Sequence, residues 1–210
     1  MTKILLVVLT LVMFSCSSSK KASLANIESN IKAMLSELDG DFAIAYQDLA
    51  DPKQHIYLNV DERFHAASTM KTPVLIELYK RAELEGFSLS DSIILKNEFK
   101  SIVDGSPFSM EVTEESEQDL FLNLNKKVTL YTLAYEMITR SSNFATNVLI
   151  DYLDAEKVTS TMRDLGADSI EVLRGVEDLK AFRQGLSNST TAKDLLVIFE
   201  QLASDTLVNE

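Results

Sequence analysis

The 210-residue chain has no tryptophan, 3 prolines, 6 glycines, 2 histidines and a single cysteine, Cys16. One cysteine excludes an internal disulfide and any cysteine-based metal cluster. His55 and His65 match no zinc spacing such as H-E-x-x-H, so no metal site is expected, and both are read as structural. After the first two dozen residues there is no low-complexity tract, and no internal repeat runs through the chain, which argues against solenoid and linker-dominated architectures. Basic residues are scarce too: 20 lysines and arginines stand against 32 acidic residues, a net charge of −12. Such a surface repels phosphate backbones and anionic lipid, so nucleic acid is not an expected partner. The charge is also what solubility alone requires, and it carries no information about substrate. What remains, 46% hydrophobic and 25% charged, is the composition of a folded globular chain with room for one domain or two small ones.

The one long apolar run lies at the N-terminus. Lys3 precedes Ile4 to Phe14, interrupted only by Thr10. A bilayer span needs about 20 apolar residues, so this run reads instead as the core of a secretory signal peptide over residues 1–15. Ser15-Cys16 resembles a bacterial lipobox, although Met13 and Phe14 stand where that pattern prefers leucine and a small residue. The resemblance implies cleavage before Cys16, lipidation of Cys16 and a tether over residues 16–23. Ordinary cleavage, with Cys16 a bystander, is the alternative. Either route exports the protein, to the periplasm or the outer-membrane surface, with the membrane met only through the lipid.

Leu24, Ile27, Ile31, Met34, Leu35 and Leu38 recur at helical spacing and predict a helix over 24–38. Residues 42–46 and 55–59 read as the strands of a hairpin around Asp51-Pro52. Pro73 is best tolerated in a first turn, which starts the next helix near Thr69 or Met70. Segment 96–125 is polar and irregular. Helices follow over 128–140, with Thr129 as N-cap, over 145–153 and 155–165, and over 191–203, capped by Thr190 or Thr191. Residues 174–186 contain two glycines and read as a loop. The expected class is α+β, a helical body packed on an antiparallel sheet of which this chain supplies only the N-terminal hairpin. Two strands do not make a stable sheet.

Chemistry concentrates in two short stretches. In Ser68-Thr69-Met70-Lys71, a helix start places the hydroxyl and the amine on one face. An amine beside a serine can remove its proton, and N–H groups at a helix start can stabilise an oxyanion. The motif alone is weak; the alternative is a surface serine and lysine. Ser141-Ser142-Asn143 sits between two helices, where a hydroxyl can relay a proton and an amide can hold both a lysine and a substrate carbonyl. By itself this stretch also reads as an N-cap cluster.

Together the two stretches resemble the class A β-lactamase and penicillin-binding family, whose signature is S-x-x-K, S-D-N and K-T-G. Ser68 to Lys71 resembles S-T-F-K, and Val103-Asp104-Gly105-Ser106-Pro107 resembles V-D-Y-S-P. Ser141 to Leu149 resembles S-D-N-T-A-A-N-L-L, and Thr190-Thr191-Ala192 resembles T-T-P. The resemblance implies Ser68 as nucleophile, Lys71 as its activator, Ser141 as proton donor to the leaving nitrogen, and Asn143 as the group that orients Lys71 and binds substrate. It implies a catalytic domain over 24–210, a small-molecule β-lactam or peptidoglycan-peptide substrate, a monomer, and no cofactor.

The sequence departs from that pattern in three places. Ser142 replaces the usual aspartate. The family's deacylating carboxylate lies in an E-x-x-L-N loop; here Arg174 matches the arginine that opens the loop and makes Glu177 the best candidate, yet Leu179 falls one residue early and no asparagine follows it. The alternative is that Glu177 and Asp178 are solvated loop carboxylates. Finally, K-T-G is absent. The expectation is therefore an incomplete sequence that, as written, exposes one face of its hairpin and much of its nucleophile helix, folds poorly and is inactive. Three functions are carried: a serine β-lactamase, a D,D-peptidase or related esterase that acylates but deacylates slowly, and a non-catalytic lipid-anchored binding protein.

Overall fold

A computed structural model describes residues 23–111, 118–204 and 207. The signal-peptide and Cys16 readings lie outside the described residues. The chain divides into two compact units, Met1–Asp41 and Phe42–Glu210. In the first, helix α1 spans Leu24–Leu35, with Ser23 Oγ accepting the Asn26 N–H. It ends before the predicted Leu38, where Ser36 Oγ donates back to the Ala33 carbonyl.

The second unit opens with the predicted hairpin, β1 (Ile44–Gln47) against β2 (His55–Leu58), in register Ile44↔Leu58 to Gln47↔His55. Tyr46 and Tyr57 of this hairpin are exposed, as expected. Strand β3 (Arg63–His65) leads into a 3₁₀ turn at Ala67–Met70 and helix α2 (Lys71–Glu85). α2 corrects the expectation of an exposed nucleophile helix: Pro73, Val74, Ile76 and Leu78 are buried. Short pieces follow: β4 (Ser92–Ile94), β5 (Phe99–Lys100), β6 (Pro107–Phe108), α3 (Gln118–Phe121) and β7 (Lys127–Thr129). Helices α4 (Leu130–Thr139), α5 (Asn143–Leu153) and α6 (Ala155–Asp164) form the body. A short α7 (Leu179–Arg183), strand β8 (Ser189–Thr191) and α8 (Ala192–Ala203) complete it.

The architecture is α+β, and the strands form antiparallel pairs. Besides the hairpin, β3 pairs with β8, β4 with β7 and β5 with β6. The predicted caps are present: Thr129 Oγ1 accepts from Thr132 N, and Thr191 Oγ1 accepts from Asp194 N. α5 is the centre of the core, with Phe144 to Ile150 and Leu153 all buried, as befits a helix covered on nearly every side. Phe144 stacks on Phe121 at 4.4 Å between ring centroids and meets Phe99 edge-on at 6.1 Å, which fixes the N-terminal end of α5. Val74 and Leu78 of α2, Leu133 and Met137 of α4 and Val158 and Met162 of α6 complete that core. α7 was not foreseen. Asp178 nucleates it by accepting the Ala181 N–H, and Gly185, at φ 74°, follows its end.

Candidate active site

Two helix starts converge here. The first is the turn between β3 and α2. The Ala66 N–H donates to the Asn188 carbonyl beside β8 at 2.9 Å, and the Thr69 N–H and hydroxyl both donate to the Ala66 carbonyl. Ala67 is held at φ 45°, in the left-handed region, and Ser68 follows it on the exposed side of the 3₁₀ turn. Lys71, at the first position of α2, is only 3% exposed.

The second start is the junction of α4 and α5. Ser141 adopts φ 56°, and Ser142 caps α5, its Oγ accepting the Ala145 N–H at 3.0 Å. A serine hydroxyl thus does the capping at the position where the resembled pattern has aspartate. Ser142 is almost wholly buried, and its carbonyl accepts the Thr146 hydroxyl at 2.6 Å.

Between the two starts, Lys71 Nζ is hydrogen-bonded to the Ser141 carbonyl, to Ser141 Oγ at 2.9 Å and to Asn143 Oδ1 at 3.0 Å. Ser68 Oγ and Ser141 Oγ share a hydrogen bond of 3.1 Å. Ser68, Ser141, Lys71 and Asn143 are therefore one connected group, with Ser141 bonded to both the exposed hydroxyl and the buried amine. A hydroxyl can donate and accept at once, so this arrangement can pass a proton in either direction.

One turn further along the same face of α5, Asn147 grips the loop that follows Arg174. Its Oδ1 accepts the Val176 N–H at 2.6 Å and its Nδ2 donates to the Val176 carbonyl at 2.9 Å. Gly175 makes the grip feasible: a Cβ there would lie 2.3 Å from Asn147 Oδ1. Arg174 is buried, its Nε and Nη1 donating to the Leu186 and Gly175 carbonyls, and burial pulls its guanidinium below the usual arginine range. Asp178 accepts from Ser101 Oγ, Ile102 N and Ala181 N. Burial pushes its carboxyl up, but those three hydrogen bonds together with the charge of Arg174 outweigh it and hold it below the usual range. Asp178 is therefore a buried structural carboxylate and not a solvated one.

Glu177 is placed differently. It sits at φ 64°, is exposed, and lines a cleft with Ser101, Ser106, Phe108 and Glu111. Val103 to Pro107 reaches the same loop: Lys180 donates to Asp104 Oδ2 at 3.1 Å and to Ser106 Oγ at 2.5 Å. Hydrogen bonds from the Ser106 hydroxyl and N–H, then from Lys180, lower Asp104 to about 2. Sequence reasoning did not single out Asn147 as a clamp. The available signal was its spacing of four from Asn143, which puts two amides on one helix face.

Among the described residues, no group of three or more histidine, cysteine or acidic side chains is arranged to hold a metal ion. The chain is similar to a β-lactamase of Citrobacter koseri, 26% identical over 166 residues that make up 79% of this chain and 52% of that protein. Its fold is similar to that of a β-lactamase from Chitinophaga pinensis, with a TM-score of 0.73 at 15% identity over 88% of this chain and 65% of the other. It is similar as well to PBP-A, with a TM-score of 0.69 at 20% identity over 89% of this chain and 64% of the other. The chain thus spans about half the length of the curated relative and just under two thirds of each of these structures. The sequence model of the beta-lactamase enzyme family matches residues 26–210, which takes in both helix starts and the loop between Arg174 and Asn188, and the chain belongs to that family.

Proposed function

We propose that the protein is a serine hydrolase of the class A β-lactamase kind, which opens a β-lactam ring through an acyl-enzyme on Ser68. The observation that carries this reading is the continuous hydrogen-bonded path from the exposed Ser68 hydroxyl through Ser141 to the buried Lys71 amine. Ser68 Oγ forms a bond to the lactam carbonyl carbon, and its proton passes to the Lys71 amine, with Ser141 Oγ as the bridge. N–H groups at the start of a helical turn lack intrahelical partners and suit the developing oxyanion. The carbon–nitrogen bond then breaks, the nitrogen takes a proton from Ser141, and Lys71 returns one to Ser141. Asn143 keeps Lys71 in place and offers its amide to the substrate. Water completes the cycle by hydrolysing the ester, with Glu177 the loop carboxylate nearest the family pattern. No cofactor enters, and the protein acts as a monomer, exported and anchored by a lipid on Cys16.

One observation favours a second reading, a D,D-peptidase that acylates and then stalls. After Arg174, Leu179 falls one residue early for the family's E-x-x-L-N loop and no asparagine follows it, while Val176 is the residue that Asn147 clamps against α5. Intact-mass spectrometry after exposure to a penicillin separates the readings, with Ser68→Ala as control. An adduct that forms and then decays in the unmutated protein alone supports the β-lactamase. An adduct that persists supports the peptidase. No adduct on folded protein removes both.

A further inference from the structure

The turn that presents Ser68 depends on a side chain that a sequence reading leaves as merely structural. Ala67 carries a Cβ in the left-handed region, a conformation that surrounding contacts must impose. On one side the turn is fastened to β8: His65 pairs with Ser189, and the Ala66 N–H bonds the Asn188 carbonyl. On the other side the Ala67 N–H itself donates to His65 Nδ1 at 2.9 Å. Because the donor is a backbone N–H, Nδ1 must be the unprotonated ring nitrogen, so the proton sits on Nε2. A side chain accepting from the N–H two residues on is the pattern of an Asx turn, with an imidazole nitrogen in place of a carboxamide oxygen. His65 is exposed, so the ring is not there to fill the core.

We infer that His65 is a positioning residue for the nucleophile: by accepting the Ala67 N–H it holds the left-handed turn that aims Ser68 Oγ at Ser141. The inference rests on the reading of Ser68 as the nucleophile. It extends that reading by naming the lever that sets the hydroxyl's direction. The chemistry required at position 65 is a short acceptor, so asparagine should replace histidine and phenylalanine should not.

Two variants of the full chain test this. His65→Phe keeps a ring and removes the acceptor; His65→Asn restores an acceptor through a true Asx turn. The rate of Ser68 acylation by a fluorescent penicillin is expected to fall roughly 10- to 100-fold in His65→Phe, the scale of a misaimed reacting group. It should return to within about threefold of the unmutated rate in His65→Asn, less than half of one decade of transition-state alignment. A ¹⁵N spectrum of the unmutated protein should show His65 Nδ1 without a proton, and exchange of the Ala67 amide should be slowed there and in His65→Asn but not in His65→Phe. Equal acylation in all three proteins overturns the inference, as does an asparagine variant as slow as the phenylalanine one. If the unmutated protein is never acylated, the Ser68 reading fails. Amide exchange then decides separately, because an Ala67 amide equally protected in His65→Phe overturns the role assigned to His65.

Discussion

The Ser68 turn and the Arg174–Asn188 loop use much the same stock of polar residues and put it to opposite ends. From Ser68 a path of side-chain hydrogen bonds runs from hydroxyl to hydroxyl to amine to amide, and its outer end is an exposed serine. In the loop they run mostly from side chain to backbone. Asn147 grips Val176, Arg174 holds two carbonyls, and Asn188 Oδ1 accepts from Leu173 and Arg174 N–H groups while its Nδ2 returns a bond to the Arg174 carbonyl. Side chains bonded to backbone are committed to shape, since releasing them strands buried polar groups. Side chains bonded to one another, with one end open to solvent, can exchange protons with a substrate. Burial does not separate the two regions, because Lys71 and Arg174 are both buried.

The largest test of the contrast lies at its open end. Ser68→Ala removes an exposed oxygen, so acylation by a penicillin should fall at least about 10³-fold while the melting temperature stays unchanged. Lys71→Ala should lose activity to a similar degree, and it should destabilise as well, because it leaves the Ser141 carbonyl and Asn143 Oδ1 without their buried donor. Stopped-flow acylation and thermal melts on the same samples check both. A Ser68 variant that still forms the adduct would end the comparison.

The closed end predicts the reverse. Asp178→Ala strips the cap from α7 and leaves Ser101 Oγ and the Ile102 N–H without their acceptor. A loss of about 3 kcal/mol is expected, with the acylation rate of the folded fraction nearly intact. The carboxyl is held below its ordinary value of 3.8, so its contribution is fully present above that pH and fades as pH falls through the folded value. The unmutated and Asp178→Ala proteins should therefore converge in urea stability in acid. Gly175→Ala drives a Cβ into Asn147 Oδ1 and should cost about 1–3 kcal/mol, again felt in stability before acylation.

Why one region was legible in the sequence and the other only in part follows from the range of the contacts. Ser68 and Lys71 lie within one turn, and Ser141 to Asn143 within another, so local spacing singled out both stretches and the family resemblance they carry together supplied the roles, while Thr129 and Thr191 announced their helices by local signals alone. The α+β class and the hairpin were likewise local signals. The pairing of β3 with β8 joins three-residue strands far apart in the chain, too short to show a period of two. The Asn147 clamp joins residues 29 apart through backbone atoms, which have no side-chain signature. Glu177 was found by its side chain and its spacing from Arg174, whereas the bonds from Asn147 to the backbone of its neighbour Val176 leave no such trace in the sequence. Asp178, left open as a solvated carboxylate, gave no sign of its burial because its partners at 101 and 102 lie elsewhere in the chain.

The smallest expected effect concerns a buried polar group outside both regions. Glu77 lies six residues beyond Lys71 on α2 and is buried, and Thr161 Oγ1 of α6 donates to its Oε2 at 2.5 Å. Burial raises its carboxyl above the ordinary 4.5, and the bond from Thr161 and the charge of Arg81 recover only part of that. The folded state therefore holds this proton more tightly than the unfolded chain does, so Glu77 costs stability as pH rises from 4.5 through the folded value, and the cost is complete above it. Glu77→Gln keeps an acceptor for Thr161 and carries no charge to desolvate. It should raise the melting temperature at pH 8 by about 2–4 °C, the equivalent of roughly 1 kcal/mol in a domain of this size. At pH 4 the gain should vanish, because there the native carboxyl is already protonated. A variant that melts lower at pH 8 would mean that attraction to Arg81 outweighs burial, and that α2 carries a buried carboxylate as firmly committed to structure as Asp178.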